Sequence, residues 1–379
     1  MKLEHYISVG GKRLRCGYTT GTCAAGAARC AAEALLTGRF PAEVQIETPA
    51  GIAVRLEPEE CHLEADSASC GIRKDAGDDI DATDGALIIA AVKRIPDGIE
   101  IDGGAGIGRV TRPGLDQPVG AAAINRVPRE MIEAELRRSL EDHHSSGGLK
   151  AVISVPRGED LAQKTFNPRL GIEGGLSILG TSGIVRPMSR QAIVDTTRTE
   201  LRMLAAAGHR DVLLVPGNYG ADFARDVLLL DLTQGVQCSN YIGEAIDCCK
   251  ELGFSSVLLV GHIGKLCKLA AGVFDTHSRT ADTRREVFVT YAALAGGHRE
   301  MLAQLYQCTV TDACIPLLKE AGILEDTMEG ITRAVGENLA RRGGELQVEA
   351  ILFSKTVGIL GITDGAEALL QHQRMRGGL

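Results

Sequence analysis

Small apolar residues recur at helical spacing near the start of the chain. The series, spaced as i, i+3, i+4, i+7 and onward, consists of Ala24, Ala27, Ala28, Ala31 and Leu35. This spacing puts the residues on one face, so we predict a helix over residues 23–36 that ends at Gly38. A face made of alanine lets a neighbouring element pack unusually close.

Shorter apolar runs bounded by turn residues fill the rest of the first half. They predict strands at residues 43–47, 52–56, 99–102 and 151–155. A charged amphipathic pattern predicts a helix over 128–140, and the apolar run at 86–95 fits either a helix or a strand. This mixture of helices and strands indicates an α+β domain.

Apolar strands alternate with helices in the second half. The predicted strands lie at 212–215, 257–260 and 348–353, and the predicted helices at 190–207, from 221 onward, at 241–252 and at 265–272. Such alternation is typical of a parallel sheet, in which ligands bind beyond the carboxyl ends of the strands. The turns at 216–220 and 261–265 occupy that position.

The length and the change of rhythm favour two domains. A chain of 379 residues exceeds what one hydrophobic core usually organises. The pattern of apolar runs changes near residues 188–198. We therefore expect an α+β domain at 1–192 and an α/β domain with a small parallel sheet at 193–379.

Composition and charge narrow the class of protein. Glycine accounts for 46 of the residues, which is typical of many tight turns and of backbone that approaches a ligand closely. The net charge of −8 argues against a nucleic-acid partner. The N-terminus lacks a signal-peptide pattern and no apolar run is long enough to cross a bilayer, so we expect a cytoplasmic protein without a membrane partner.

The cysteines give no metal pattern. There are 11 of them, and without a secretory segment they indicate reduced thiols. The chain has no C-x-x-C or H-x-x-x-H motif, and the adjacent Cys248 and Cys249 are poorly placed to bind one ion together. We expect buried, unreactive thiols and no metal site.

Hydroxyl groups and a glycine gather where the first predicted helix begins. Free N–H groups and the positive end of the helix dipole suit such a position to an anion. A helix cap needs one hydroxyl and this segment offers three, so we interpret Thr19, Thr20, Gly21 and Thr22 as cofactor-binding residues. The alternative is a simple helix cap with a glycine turn.

Asp75 and Asp78 belong to a run of acidic residues that ends at Asp84. Clustered carboxylates raise one another's pKa until one of them can serve as a base, so both are candidate catalytic residues. The alternative is a solvated acidic turn.

Gly104, Gly106 and Gly108 follow a predicted strand in a D-x-G-x-G-x-G pattern. This pattern is typical of Rossmann-like methyltransferases, whose backbone approaches the cofactor at the glycines. Pro113, however, disfavours the helix that this fold requires after the loop. We predict cofactor contacts from the glycines, but not a Rossmann-type methyltransferase.

Two histidines and a lysine lie near strand ends in the second half. His262, His277 and Lys265 suit acid–base chemistry near neutral pH, although buried histidines are often structural. The turns at the same strand ends add three candidate cofactor-binding residues, Gly217, Asn218 and Gly261.

Taken in order, these segments resemble one known family. They are RCGYTTGTCAAGAA (15–28), KDAGDD (74–79), GAGIGRVTRPGL (104–115), AINRVPREMI (123–132), KTFNPRLGIEGGLSILGTSGIVRPMS (164–189), GNYG (217–220), SNYIGEA (239–245) and GHIGKLCKLAAGVFDTHSRTAD (261–282). Each motif alone is weak, but the ordered set closely resembles the CbiD family, the cobalt-precorrin-5B C1-methyltransferases of anaerobic cobalamin (vitamin B12) biosynthesis. One departure is AINRVPR, where AINPVPR is commoner.

The resemblance implies an activity and a fold. The activity is methyl transfer from S-adenosylmethionine to C-1 of cobalt-precorrin-5B, which gives cobalt-precorrin-6A, with cobalt present only as part of the substrate. The fold is an N-terminal α+β domain of the GHMP-kinase-like (ribosomal-domain-like) type, joined to an α/β domain with a small parallel sheet.

The corrinoid substrate carries many carboxylates, so its binding requires cationic side chains. The candidate substrate-binding residues are Arg112, Arg126, Arg129, Lys164, Arg169 and Arg279. Two alternatives to a methyltransferase are a GHMP-like phosphotransferase and a non-catalytic tetrapyrrole-binding protein. Assembly into a homo-oligomer is left open.

Overall fold

The chain divides into two units, which we call unit 1 (Met1–Ser189) and unit 2 (Arg190–Leu379). The structure is a computed structural model, and it describes residues 2–376, with only the backbone of Arg376. Each unit has its own hydrophobic core.

Unit 1 mixes short strands with two long helices. Its elements are β1 (Tyr6–Val9), β2 (Lys12–Arg15), β3 (Gly17–Tyr18), α1 (Thr20–Thr37), β4 (Val44–Glu47), β5 (Ala53–Leu56), β6 (Glu59–Leu63), β7 (Ser67–Arg73), β8 (Leu87–Ile95), β9 (Ile99–Gly103), β10 (Arg109–Val110), α2 (Arg126–Asp142), β11 (Gly148–Ser154), α3 (Gly158–Ala162), β12 (Ile172–Glu173) and β13 (Ile184–Val185).

The largest sheet of unit 1 has the strand order β6-β7-β8-β11-β9. Strand β11 runs antiparallel to β8 and parallel to β9, so the sheet is mixed. Helices α1 and α2 pack against each other, and α1 lies on β7 and β8. The alanine face predicted for this helix is buried throughout, which allows the close approach to the sheet.

Unit 2 is built around a mostly parallel sheet. Its elements are α4 (Arg190–Ala206), β14 (Asp211–Val215), α5 (Asn218–Asp226), β15 (Gly235–Gln237), α6 (Ile242–Glu251), β16 (Ser256–His262), α7 (Ile263–Leu266), α8 (Arg284–Leu294), α9 (Arg299–Gln307), α10 (Cys314–Glu320), α11 (Leu324–Gly343), β17 (Gln347–Ser354), β18 (Gly358–Ile362) and α12 (Ala366–Arg376).

The sheet of unit 2 has the order β15-β14-β16-β17-β18, and only β18 is antiparallel to its neighbour. Strand β14 is buried on both faces. Val212 and Leu214 enter one apolar cluster, whereas Leu213 and Val215 enter another. Burial on both faces explains why the strand has an unbroken apolar sequence.

Several predicted elements differ from the observed ones. The ambiguous run at 86–95 is strand β8, and α5 begins at Asn218 rather than at residue 221. The helix predicted over 265–272 is the single turn of α7 followed by a 3-10 turn, Cys267–Ala271. The loop at Gly104–Gly108 leads into β10 and no helix follows it directly, as the position of Pro113 predicts.

Most thiols lie in the apolar interior. Every cysteine except Cys61 and Cys308 is buried, and burial raises the pKa of Cys23 and of Cys238 to about 12. These thiols therefore stay protonated at neutral pH. Among the described residues, no helix has both the length and the apolar character needed to cross a bilayer.

Candidate active site

The hydroxyl groups at the start of α1 bind the protein itself. Thr19 Oγ1 accepts the Thr22 N–H at 3.2 Å, and Thr22 Oγ1 donates to the Gly183 carbonyl at 2.7 Å. Thr20 Oγ1 donates to the Leu179 carbonyl at 3.2 Å and accepts the Leu179 N–H at 2.9 Å. Of the three hydroxyls that suggested an anion site, the one of Thr19 caps α1, and those of Thr20 and Thr22 hold the 179–183 loop against the helix.

Gly21 serves the same junction. Its N–H donates to the Leu179 carbonyl at 3.1 Å, and a Cβ at this position would lie 2.8 Å from Pro128 Cγ. The absence of a side chain is thus explained by packing of α1 against α2. Cofactor binding at residues 19–22 stays a prediction, without the spare hydroxyls on which it was based.

The acidic segment is paired with cations. Arg15 donates to both carboxylate oxygens of Asp75, at 2.5 and 2.7 Å, and the Arg15 N–H donates to Asp78 at 2.6 Å. These bonds hold the pKa of Asp75 below its usual value. Asp75 is therefore ionised and hydrogen-bonded to Arg15, so the expectation that clustering raises its pKa to that of a base is wrong.

A neighbouring ion pair, between Lys74 and Asp81, also keeps a carboxylate ionised. The buried Lys74 donates to Asp81 at 2.6 Å. Burial alone would raise the pKa of Asp81, but Lys74 and Thr83 together lower it. The acidic run is a structural network that closes the turn before β8.

The glycine loop after β9 is embedded in unit 1. The Gly104 N–H donates to the Ile153 carbonyl at 2.7 Å, and the Gly108 N–H donates to the Leu176 carbonyl at 2.9 Å. Gly106 has φ of +74°, and a Cβ there would overlap the Val155 carbonyl. The glycines allow close approach, as predicted, but the backbone that they approach belongs to the protein. Contact with a cofactor stays a prediction.

The candidate substrate-binding cations of unit 1 fall into two groups. Arg129 is half-buried and donates to the carbonyls of Ile124 and Ile101, both at 2.9 Å. Its guanidinium therefore stabilises the backbone and is a poor candidate for gripping a substrate, which corrects that assignment. Arg126 is exposed and pairs with Glu130 on the next turn of α2. The remaining cations, all exposed, are Arg112, Lys164 and Arg169.

Four parallel strands of unit 2 end at one edge of its sheet. Their last residues are Val215 in β14, Gln237 in β15, His262 in β16 and Ser354 in β17. We call this the carboxyl edge of unit 2. Parallel topology therefore brings together segments that are more than 100 residues apart in the sequence.

Lys265 lies at the carboxyl edge, between the loops that follow β14 and β15. Its Nζ donates to the Pro216 carbonyl at 2.6 Å and to the Ser239 carbonyl at 3.2 Å. Burial lowers the pKa of Lys265, and no ion pair with a carboxylate is formed in the described part of the chain. The edge therefore carries a half-buried positive charge held only by neutral groups.

His262 caps the turn that follows β16. Its Nδ1 accepts the Gly264 N–H at 3.1 Å, which leaves the proton of the neutral ring on Nε2. The buried Nε2 lies 3.1 Å from an Asp312 carboxylate oxygen, off the axis of a good hydrogen bond. Burial lowers the pKa of His262, and Asp312 offsets this in part. Neither ring nitrogen offers a free lone pair, so the predicted role as a base does not fit.

His277 is held in the same tautomer. Its Nδ1 accepts the Arg279 N–H at 3.1 Å, so Nε2 carries the proton of the neutral ring. The Arg279 guanidinium lies 3.5 Å from that nitrogen. In this arrangement His277 presents a donor beside a cation, so it too does not fit the role of a base.

The glycines of the carboxyl edge differ in their surroundings. A Cβ on Gly261 would lie 2.9 Å from side-chain atoms of Leu266 and Pro216, so Gly261 is explained by packing. Gly217 has φ of +118°, and a Cβ there would have, apart from residues 216–218, only Lys265 Nζ within 4 Å. Asn218 is exposed and begins α5. The space beside Gly217 is thus open and faces the ammonium group.

Sequence reasoning missed two members of this region. Asp312, whose other oxygen accepts the Ser354 hydroxyl at 2.6 Å, is 50 residues from His262, and no local pattern marks it. Lys268 is buried and donates to the carbonyls of Thr276 and Ala281 at 3.0 and 2.8 Å. Two lysines in the apolar run at 263–274 are a signal that such buried cations exist.

Comparison with known proteins covers most of the chain. The family model CbiD matches residues 7–187, and the model CbiD, C-terminal domain matches residues 275–364. A cobalt-precorrin-5B C(1)-methyltransferase from Ruminiclostridium cellulolyticum is 45% identical over 353 residues, which cover 93% of this chain and 92% of that protein. The protein of the same name from Alkaliphilus metalliredigens is 40% identical over 379 residues, or 99% of each chain.

One solved structure is also similar in sequence. It is the cobalamin biosynthesis protein CbiD from Archaeoglobus fulgidus, with 31% identity, 74% of this chain and 87% of that chain covered, and a TM-score of 0.40.

Proposed function

Because the chain belongs to the CbiD family, we propose that it methylates C-1 of cobalt-precorrin-5B to give cobalt-precorrin-6A in cobalamin biosynthesis. One observation carries the proposal: relatives with this activity in their names are 40 to 45% identical over nearly the full length of both chains. Full-length identity at this level supports a shared reaction more strongly than any single motif does.

The methyl donor in this proposal is S-adenosylmethionine. The bond between its methyl carbon and sulfur breaks, and both electrons stay on sulfur. An electron pair of the ring carbon forms the new carbon–carbon bond. Such an in-line displacement depends mainly on alignment of carbon, methyl group and sulfonium, so the protein contributes chiefly by binding and orienting the two reactants.

Binding residues are proposed from the carboxyl edge of unit 2 and from exposed cations. At the carboxyl edge these are Lys265, Gly217 and Asn218. The exposed cations that suit substrate carboxylates are Arg112, Lys164, Arg169 and Arg279. Asp75, Asp78, Arg129, His262 and His277 act in this proposal as structural supports, since their polar groups already bind the protein.

The proposal has several finer points, some from the family resemblance and others from the composition, charge and apolar pattern of the chain. They are a GHMP-kinase-like fold for the domain at 1–192, an α/β domain at 193–379, action in the cytoplasm and no nucleic-acid partner. The corrinoid brings the cobalt, and assembly of identical subunits is compatible with the proposal.

The test is methylation in vitro. The purified chain is incubated with cobalt-precorrin-5B and S-adenosylmethionine that carries a deuterated methyl group, and the corrinoid is analysed by mass spectrometry and NMR. We expect one labelled methyl group, at C-1, and stoichiometric S-adenosylhomocysteine. Corrinoid binding without turnover would identify a carrier instead, and ATP-dependent phosphorylation would identify a phosphotransferase.

A further inference from the structure

The Lys265 ammonium is fixed, but its hydrogen bonds are not complete. An ammonium group has three N–H donors. Two of them are used, on the carbonyls of Pro216 and Ser239. Since these carbonyls follow two different strands, they hold Nζ in one place and leave one donor for a further acceptor.

The charge of Lys265 lacks a counterion in the described chain, in contrast to Lys268 one turn later. Lys268 also donates to two carbonyls, but its Nζ lies 3.8 Å from an Asp282 oxygen. A partly buried ammonium without a carboxylate is costly. Burial lowers the pKa of Lys265. An anion that binds at Lys265 would offset that cost.

There is room for such an anion. The position that a Cβ of residue 217 would occupy is 3.6 Å from Lys265 Nζ, and apart from residues 216–218 it has no other atom within 4 Å. Gly217 also precedes α5 and has no side chain to fill this space or to cap that helix. The ammonium therefore faces open space beside Gly217.

From this geometry we infer that Lys265, held by the Pro216 and Ser239 carbonyls, is a carboxylate-binding site at the carboxyl edge of unit 2. The inference rests on the proposed function, because that function supplies two sources of carboxylate. One is the α-carboxylate of the methyl donor, and the other is an acetate or propionate side chain of the tetrapyrrole. The chemistry recognised is the same in both cases.

Calorimetry with two variants tests the site and separates the sources. Lys265→Met removes the charge and keeps the length of the side chain. Lys355→Met is the matched control, since Lys355 is an exposed lysine just after β17 that lies over the Tyr219 ring. The probes are S-adenosylhomocysteine, its decarboxylated analogue, cobyrinic acid and the amidated form of cobyrinic acid.

A site for the methyl donor predicts that Lys265→Met weakens S-adenosylhomocysteine roughly 10- to 100-fold, the usual value of a charge-assisted hydrogen bond. The decarboxylated analogue would bind wild type and variant equally. A site for the tetrapyrrole predicts the same loss for cobyrinic acid, but not for its amidated form. The inference is overturned if Lys265→Met matches Lys355→Met for every probe.

Chemical labelling of the wild-type protein provides a second measurement that needs no folded variant. An amine-reactive reagent is added with and without S-adenosylhomocysteine or cobyrinic acid, and each lysine is quantified by mass spectrometry. We expect at least one ligand to protect Lys265 while Lys355 stays reactive. Lack of protection by either ligand at saturation would contradict the inference. Because these readouts are binding and labelling, they can fail while methylation succeeds, or succeed while it fails.

Discussion

The glycine loops of unit 1 and the carboxyl edge of unit 2 look alike in sequence, since both combine glycines with polar residues at predicted element ends. In unit 1 the donors are consumed within the protein, as in the bonds from Gly104 and Gly108 to neighbouring carbonyls. At the carboxyl edge one cation, Lys265, keeps a donor and faces open space. Glycines in the sequence therefore predict that the backbone approaches another group closely, but not whether that group is a ligand or the protein. The topology of the sheet indicates where a ligand has room.

The largest expected effect tests the packing role of the unit 1 loop. Gly106→Ala places a Cβ in the Val155 carbonyl, whereas Gly98→Ala has nearly the same φ, +76° against +74°, and meets open space. We expect Gly106→Ala to lower the free energy of unfolding by about 4 kcal/mol or more. The control should lose only about 1–2 kcal/mol, the cost of the left-handed backbone.

Urea unfolding followed by circular dichroism gives both values. Equal losses in the two variants would mean that the loop around Gly106 is open and would break the contrast between the two regions.

Two lysines of unit 2 give the next largest effect. Lys268→Met leaves one buried and one part-buried carbonyl without their donor and takes the cation away from Asp282, so we expect a loss of about 2–4 kcal/mol in unfolding free energy. Lys265→Met removes an uncompensated charge along with its two bonds, so the net loss should be about 1 kcal/mol or less. Thermal and urea unfolding measure the difference, and a reversed order would refute the distinction between a structural and a ligand-facing lysine.

Because of the Arg15–Asp75 pair, the free energy of unfolding should depend on pH in the acid range. The pKa of Asp75 is lowered in the folded state, so its stabilisation is present above the unfolded pKa of about 3.9 and is lost as pH falls through the folded value. Asp75→Asn should cost about 1–3 kcal/mol at pH 7. The difference between the variant and the wild type should start to shrink at about pH 4 and vanish only below the lowered pKa of folded Asp75.

Unfolding at a series of pH values checks this prediction, with the Glu130 variant Glu130→Gln as the exposed control. A constant difference between wild type and Asp75→Asn across the acid range would show that the pair does not titrate as the structure indicates.

The smallest expected effect is at Arg126. Its pair with Glu130 is exposed on α2, so Arg126→Gln should change the unfolding free energy by less than about 0.5 kcal/mol. Arg129→Gln removes donors from two backbone carbonyls and should cost about 1–3 kcal/mol. Similar values for the two would remove the distinction between an exposed and a structural arginine of unit 1.

Periodicity predicted much of the fold because burial imposes it. The alanine series before Leu35 forms the buried face of α1, and the unbroken apolar runs are the central strands of unit 2. Strand β6 escaped prediction because it is largely exposed and lacks alternation. Helix α5 begins early because Gly217 adopts a backbone conformation that ends one turn and starts the helix.

The candidate site was less accessible to sequence reasoning. Motifs located Lys265 and Gly217, but which donors are already used depends on contacts such as that between Thr22 and Gly183, 161 residues apart. The tautomer of His262 likewise depends on a backbone N–H two residues away, which no composition reveals. Which donors and acceptors are already hydrogen-bonded can therefore be determined only from the folded structure.

Lys265 also connects two loops mechanically. Its ammonium joins the loop after β14 to the loop after β15, much as a removable cross-link does. Replacing Lys265 by methionine removes both bonds, so both loops lose the same tether at once. The rate of amide hydrogen exchange in the 216–220 and 238–241 loops should then rise together, because one side chain tethers both backbone segments.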